Sequence, residues 1–387
     1  MSADHRSNNF DLIRLAAAAQ VVLAHAIGHS GLLNMLSGWQ RQLFDLLEWL
    51  PGVPVFFVIS GFLITKSYER SEGNCARYFW NRSLRIFPAL WVCLAVTLVA
   101  LFWYGFLPSG FVRSTTFWAW LAGQVSFLQF FNPEQFRGFG IGVANGALWT
   151  ITVELQFYVF IPLLYATVFG RWKGTKSSSV ILPTLFVISY IAYCVMNVKV
   201  NGPGGFRNAP FAFKLLQNTL LPHLWMFMVG IFIHRHFANL RKWLEGKALV
   251  YLALYVGLAA IMQLWIPNFS VPFYLCLLPA RILLGAATVA AAYSAKSLSN
   301  RLLRGTDISY GIYIYHCVII NVFTEESWLK SFAAVPLIFA SAVTLALLSW
   351  HLIEKPALAC KSISPRTWLA TRFPRGRAEP VVPLNDP

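Results

Sequence analysis

The chain reads as long apolar stretches separated by short polar and basic joints. A helix crosses a bilayer core with roughly 20 apolar residues. That length marks off spans at about 10–32, 50–66, 84–106, 147–170, 179–198, 215–233, 248–266, 273–294, 308–324 and 332–353. The pattern predicts an all-α, polytopic integral membrane helix bundle of about ten transmembrane helices. The aromatic stretch from Phe117 to Phe131 is too short to cross and is expected at the interface, with Trp118 and Trp120 at headgroup level.

The polar joints carry the next layer of information, because lysine and arginine collect on the cytoplasmic side. With the N-terminus placed in the cytoplasm, the inner joints hold 22 Lys and Arg and the outer joints 7. Both termini are therefore expected to be cytoplasmic. Residues 1–356 read as one transmembrane domain, and 357–387 as a basic, proline-containing cytoplasmic tail, loosely ordered.

Composition supports this picture. The chain of 387 residues is 57% hydrophobic and only 12% charged, about half the charge usual in a soluble protein. This excludes a secreted soluble enzyme, a nucleic-acid-binding domain and a disordered tail protein. The net charge of +16 is accounted for by the basic joints, so the partner it implies is the lipid bilayer and not nucleic acid. Six cysteines (Cys75, Cys93, Cys194, Cys276, Cys317, Cys360) lie scattered, mostly in apolar runs, without C-x-x-C or metal-ligand spacing. They are expected as packing residues, with no metal site. The first apolar stretch carries Arg14 and His25 and lacks the order of a cleavable signal peptide.

Ionisable groups inside spans are costly and mark candidate chemistry. In FDLIRLAAAAQVVLAHAIGH, Arg14 and His25 are eleven residues apart. They share one helix face and lie roughly 16 Å apart along the axis. Asp11 stands three residues before Arg14, and the AAAA run between Arg14 and His25 allows a close helix neighbour. In the second span, GVPVFFVISGFLI, the Pro and Gly residues fit helix packing. Arg82 and Arg85, three apart near the cytoplasmic surface, present two guanidinium forks on one side, a geometry suited to phosphate; plain topological anchoring is the simpler use of such charges. Glu154 lies within the fourth span and needs a partner, for which His25, an arginine or Arg281 qualifies. Tyr310, Tyr313 and His316 are three apart and line one face of the ninth span, where aromatic-belt residues are equally at home. His223 is a further in-span histidine, and Glu354 and Lys355 read as interface anchors.

Taken in order, FDLIRL with Arg14-x10-His25, FFVISGFLI, RSLRIFP, LWTITVELQFY, ISYGIYIYH and IEKP span residues 10 to 356. In this series the chain resembles the membrane-bound acyltransferase family 3, which O-acylates bacterial surface carbohydrates. The resemblance implies a multi-pass enzyme of the bacterial inner membrane. Its acyl donor would be acetyl-CoA, with no permanently bound cofactor, and its acceptor a glycan such as O-antigen, exopolysaccharide or an oligosaccharide. Residue roles follow from the resemblance and from the chemistry of acyl transfer together. His25 is the general base or carries a transient acyl group. Glu154 orients it, Arg14 holds the pantetheine arm or a diphosphate, Arg82 and Arg85 grip the CoA phosphates, and Tyr313 and His316 contact substrate. A proton-coupled carrier of a lipid-linked sugar is the alternative that the buried charges also suit. An acyltransferase of the other membrane-bound O-acyl class fits the motif order less well.

Overall fold

A computed structural model describes residues 8–29, 31–171, 176–200, 205–268, 270–295 and 297–362. The tail expected from 357 onward lies outside the described residues beyond 362. Each of the ten apolar stretches forms a helix: α1 (Phe10–Gly28), α2 (Gly52–Arg70), α3 (Cys75–Trp103), α4 (Trp149–Leu164), α5 (Lys176–Val200), α6 (Leu224–Arg235), α7 (Ala248–Trp265), α8 (Val271–Tyr293), α9 (Ser309–Glu325) and α10 (Ala334–Ser349). No strand occurs among the described residues.

Eight of these segments are long and apolar enough to cross a membrane, and the chain is a multi-pass membrane protein. The other two are short: α6 has 12 residues where 215–233 was expected, and α9 has the 17 expected of it. Pro222 stands in the middle of the expected sixth span; the residue before a proline avoids the helical region, and α6 starts only at Leu224. The ninth segment is only 17 residues long, and every residue from Gly311 to Asn321 is buried. A helix apolar all round belongs in the middle of a bundle. There α9 packs against α1, α3 and α10, while α5 and α7 lie at the periphery.

Close approach of backbones fixes the centre. A side chain at Gly61 would place its Cβ 2.1 Å from the Phe227 carbonyl oxygen, and one at Gly230 would sit 2.2 Å from that of Val58. The crossing of α2 and α6 therefore requires both glycines, as small residues permit in lipid. Likewise, a Cβ at Gly52 would lie 2.4 Å from the Ala17 carbonyl oxygen, so the alanine run of α1 does receive a close neighbour, namely α2.

Two interfacial expectations change. Trp118 is exposed, but Trp120 is buried against Phe117 and Phe136 in the helix Thr115–Val125 and presents no ring to headgroups. The end of α10 widens into a π-helical turn over Trp350–Glu354. The extra residue in that turn rotates Glu354 inward, where it is buried and accepts from Ser349 Oγ at 3.1 Å, while Lys355 stays exposed.

Candidate active site

The basic ends of α1, α2 and α3 converge with the loop before α9. Arg14, Lys66, Arg70, Arg82, Arg85 and Lys361 line one cavity of about 500 Å³ around a single carboxylate, Asp307. Arg14 Nη1 lies 3.1 Å from Asp11 and 2.8 Å from Asp307. Arg85 pairs with the same Asp307 oxygen, and Ser309 donates to the other at 2.5 Å. Burial pushes the Asp307 carboxyl up, but Arg85 and Arg14 outweigh it and hold the group well below the usual carboxylate range. Asp307 therefore stays ionised as the counter-ion of two arginines. Burial, together with the neighbouring charges of Arg82, Arg85 and Arg14, pushes the Lys361 ammonium down to about 8. Arg82 is less committed: it donates to Ser67 Oγ at 3.2 Å, and its buried Nε has no acceptor among the described residues. Six cations facing one anion leave this cavity with a large positive excess.

A narrower cavity of about 110 Å³ continues from it, sharing Arg14, Arg82 and Arg85. Its walls are mainly apolar and aromatic, with Phe56, Leu63, Tyr310 and Tyr313 from α2 and α9. Glu154 lies in this wall. Its Oε1 accepts from Tyr158 at 2.8 Å and Ser60 at 3.3 Å, and no ion pair to His25 or an arginine is formed among the described residues. The expected pairing of Glu154 with His25 is thus not made, because α4 presents Glu154 to α2 while His25 turns toward α9. Arg281 is elsewhere, donating to Tyr255 at 3.3 Å in a separate cavity with Asp45 and Glu48.

His25 finds its partner in His316. His25 Nδ1 and His316 Nε2 are 2.9 Å apart, and His316 Nδ1 lies 2.6 Å from the Tyr313 carbonyl oxygen. A carbonyl only accepts, so His316 Nδ1 carries the hydrogen. In the neutral ring Nε2 is then the acceptor, and His25 Nδ1 donates to it. This leaves the lone pair on His25 Nε2. His316 is fully buried and His25 partly exposed, so the free nitrogen belongs to the accessible ring. His316, expected to contact substrate, instead has both nitrogens engaged in orienting His25. The Tyr313 hydroxyl bonds Thr150 at 2.7 Å, next to the narrow cavity.

Cys317 Sγ lies 3.3 Å from His316 Nε2 and 3.8 Å from His25 Nδ1. The three donor atoms, all within 4.8 Å, are the group among the described residues that could hold a metal ion. The 2.9 Å nitrogen pair has hydrogen-bond length; two imidazoles on one tetrahedral zinc stand about 3.3 Å apart. Sequence reasoning did not single out Asp307 or the pairing of the two histidines. The signal for the first was a lone carboxylate opening DISYGIYIYH directly after a basic joint.

Comparison with known proteins places the chain in a family. A family model described as an acyltransferase domain matches residues 7–351. Nodulation protein 10 of Rhizobium leguminosarum bv. viciae is 35% identical over 374 residues, covering 93% of this chain and 95% of that protein. Peptidoglycan O-acetyltransferase OatA of Listeria monocytogenes is 26% identical over 79% of this chain and 50% of its own. O-acetyltransferase OatA of Staphylococcus aureus is 28% identical over 80% of this chain and 53% of its own. The chain thus spans about half the length of the OatA relatives. No solved structure matches.

Proposed function

The chain belongs to the acyltransferase family whose domain covers residues 7–351, and from that premise we propose that it transfers acetyl from acetyl-CoA to a glycan hydroxyl. The observation that carries this reading is the continuity between the basic cavity and the apolar passage that leads from it into the bundle. Diphosphate and ribose phosphate suit a cavity in which six cations face one carboxylate. The pantetheine arm suits the passage beyond it, along the wall that includes Glu154 and Tyr313. Arg82 offers the unpaired donor. Arg14 and Arg85, held in place by Asp307, supply directed charge at the mouth of the passage.

His25 then acts on the acceptor. Its Nε2 takes the proton of the sugar hydroxyl while the oxygen attacks the thioester carbon. The tetrahedral intermediate collapses by breaking the carbon–sulfur bond, and the departing CoA sulfur receives the proton from His25. By accepting from His25 Nδ1–H, His316 keeps that hydrogen off Nε2, so the reacting nitrogen offers its lone pair before the step and again after the proton has left. The basic face is cytoplasmic, where acetyl-CoA is made, and the membrane is the inner membrane of a bacterium. A glycan acceptor is supported by the name of the Listeria relative, a peptidoglycan O-acetyltransferase, and agrees with the oxygen nucleophile this base would activate. Of the in-span ionisable groups that would also suit a carrier, Arg14 and Glu154 line these two cavities, whereas Arg281 does not.

Membranes from a deletion strain carrying wild type or His25→Ala, supplied with labelled acetyl-CoA, test the reading. Wild type is expected to place ester-linked label on glycan. His25→Ala at matched expression should lose about 10³-fold of that rate, within the range for a general base. Undiminished labelling by His25→Ala would remove the base assignment; no glycan label with wild type would remove the reading itself.

A further inference from the structure

Another cavity, of about 190 Å³, lies on the Cys317 side of the histidine cluster. Its place follows from α9. Ser309 flanks the basic cavity beside Asp307, and Asn321 lies twelve residues further, about 18 Å along the axis. Asn321 Nδ2 donates to the carbonyls of Val143 and Ala144 at 2.8 and 3.1 Å, which fixes the wall of this cavity. The next residue, Asn145, donates to the Ile314 carbonyl at 2.9 Å, and a Cβ at Gly146 would lie 3.9 Å from Cys317 Sγ. One wall of the cavity, at Asn145 and Gly146, therefore stands against α9 beside Cys317, the neighbour of the histidine pair.

Its chemistry is opposite to that of the basic cavity. The walls are aromatic rings and carboxamides, and among the lining residues the only charge is Arg137, which is half-exposed and faces Glu134 at 3.8 Å. Most of the carboxamides are held by backbone: Gln124 donates to the carbonyls of Gln129 and Phe131, and Asn145 to that of Ile314. Two donors are left over. The Trp120 indole N–H is buried without a partner, although Trp120 is only 1% exposed. The side-chain amide of Gln217 makes no hydrogen bond among the described residues. A buried donor without an acceptor is costly, and a ligand oxygen would relieve it. Trp149 adds a partly exposed ring beside them.

We propose that this cavity binds the acceptor as an uncharged pyranose ring. The Trp149 face packs on the sugar C–H groups, and Gln217 and Trp120 donate to its hydroxyl or ring-substituent oxygens. The proposal rests on the acyltransfer reading above. It deepens that reading by naming the class of acceptor and where it sits. Rings and a few fixed polar groups are what an uncharged polar ligand requires, and a basic lining of the kind around Asp307 is missing from these walls.

The test uses the purified full-length chain in nanodiscs with labelled acetyl-CoA and three probes: chitotetraose, maltotetraose and tetragalacturonate. Wild type is expected to acetylate at least one neutral probe in preference to the anionic one. Gln217→Ala should raise the KM for that probe about tenfold and leave the acetyl-CoA KM within twofold. Trp149→Ala should do at least as much, and Trp149→Phe should recover most of the loss, which separates stacking from a folding defect. The proposal is overturned by an unmoved acceptor KM in Gln217→Ala, by preference for tetragalacturonate, or by wild type that hydrolyses acetyl-CoA yet labels no sugar. Wild type that leaves acetyl-CoA intact with and without sugar would instead overturn the acyltransfer reading.

Discussion

Arg14 and His25 stand on one face of α1, and both meet the segment that contains α9, yet their surroundings follow different rules. At the Arg14 end, full charges meet: two arginines share Asp307, and four more cations surround the same space. At the His25 end nothing needs to be charged, and a single hydrogen-bond chain runs from His25 through His316 to a backbone carbonyl. An ion pair withdrawn from water is sustained only by good geometry and further hydrogen bonds, and Asp307 has both. Deeper in the bundle, the hydrogen-bond chain fixes a tautomer. In the proposed reaction the two ends would divide donor capture from proton transfer along about 16 Å of one helix.

The sharpest way to break that division is at His316. His316→Leu removes the acceptor of His25 Nδ1–H and should lower kcat about 10²-fold, near the lower end of a general-base contribution. The acetyl-CoA KM should stay unchanged. His316→Gln, which restores an acceptor oxygen, should regain part of kcat. A His316→Leu enzyme with wild-type kcat would mean that His25 needs no partner to hold its tautomer.

A smaller effect is expected at the other end. Arg82→Ala should raise the acetyl-CoA KM about tenfold, as loss of one charge-assisted contact does, and leave the acceptor KM alone. Steady-state kinetics with each substrate varied in turn reads this directly. A shift in kcat without a shift in KM would move Arg82 out of the donor site.

The smallest effect sharpens the contrast through pH. Burial and the neighbouring arginines push the Lys361 ammonium down to about 8, and a bound polyanion favours its charged form and raises that value. Binding then takes up a proton above pH 8, so CoA affinity is full below about 8 and falls as pH rises past it, by at most about tenfold per unit for one proton. Calorimetric titration of CoA at pH 7 and 9 measures the slope, and Lys361→Met should flatten it. An equal slope in that variant would assign the proton to another group.

Much of the frame was legible. Apolar stretches of membrane length became helices because a buried backbone must satisfy itself. The same-face relation of Arg14 and His25 survived because it rests on helix geometry alone. Partnership was not legible. Glu154 suited His25 by charge, but its Oε1 accepts from Tyr158 of its own helix and from Ser60 of α2. His316 was expected to contact a substrate, and it became the buried partner of the base. Glu354 was expected at the surface, and a π-helical turn, which no spacing rule anticipates, carried it inside.

The sequence by itself determined the membrane class, the helical period, the basic joints and, through ordered motifs, the family. Those properties depend on local composition and on distances along one chain. The tertiary structure alone decided which ionisable groups meet: Asp307 between two arginines nearly 300 and more than 200 residues away, and His25 against His316 across 291 residues. A buried polar group must be satisfied by some partner, but which partner it meets depends on how helices cross, and that is settled by the close contacts at Gly52, Gly61 and Gly230.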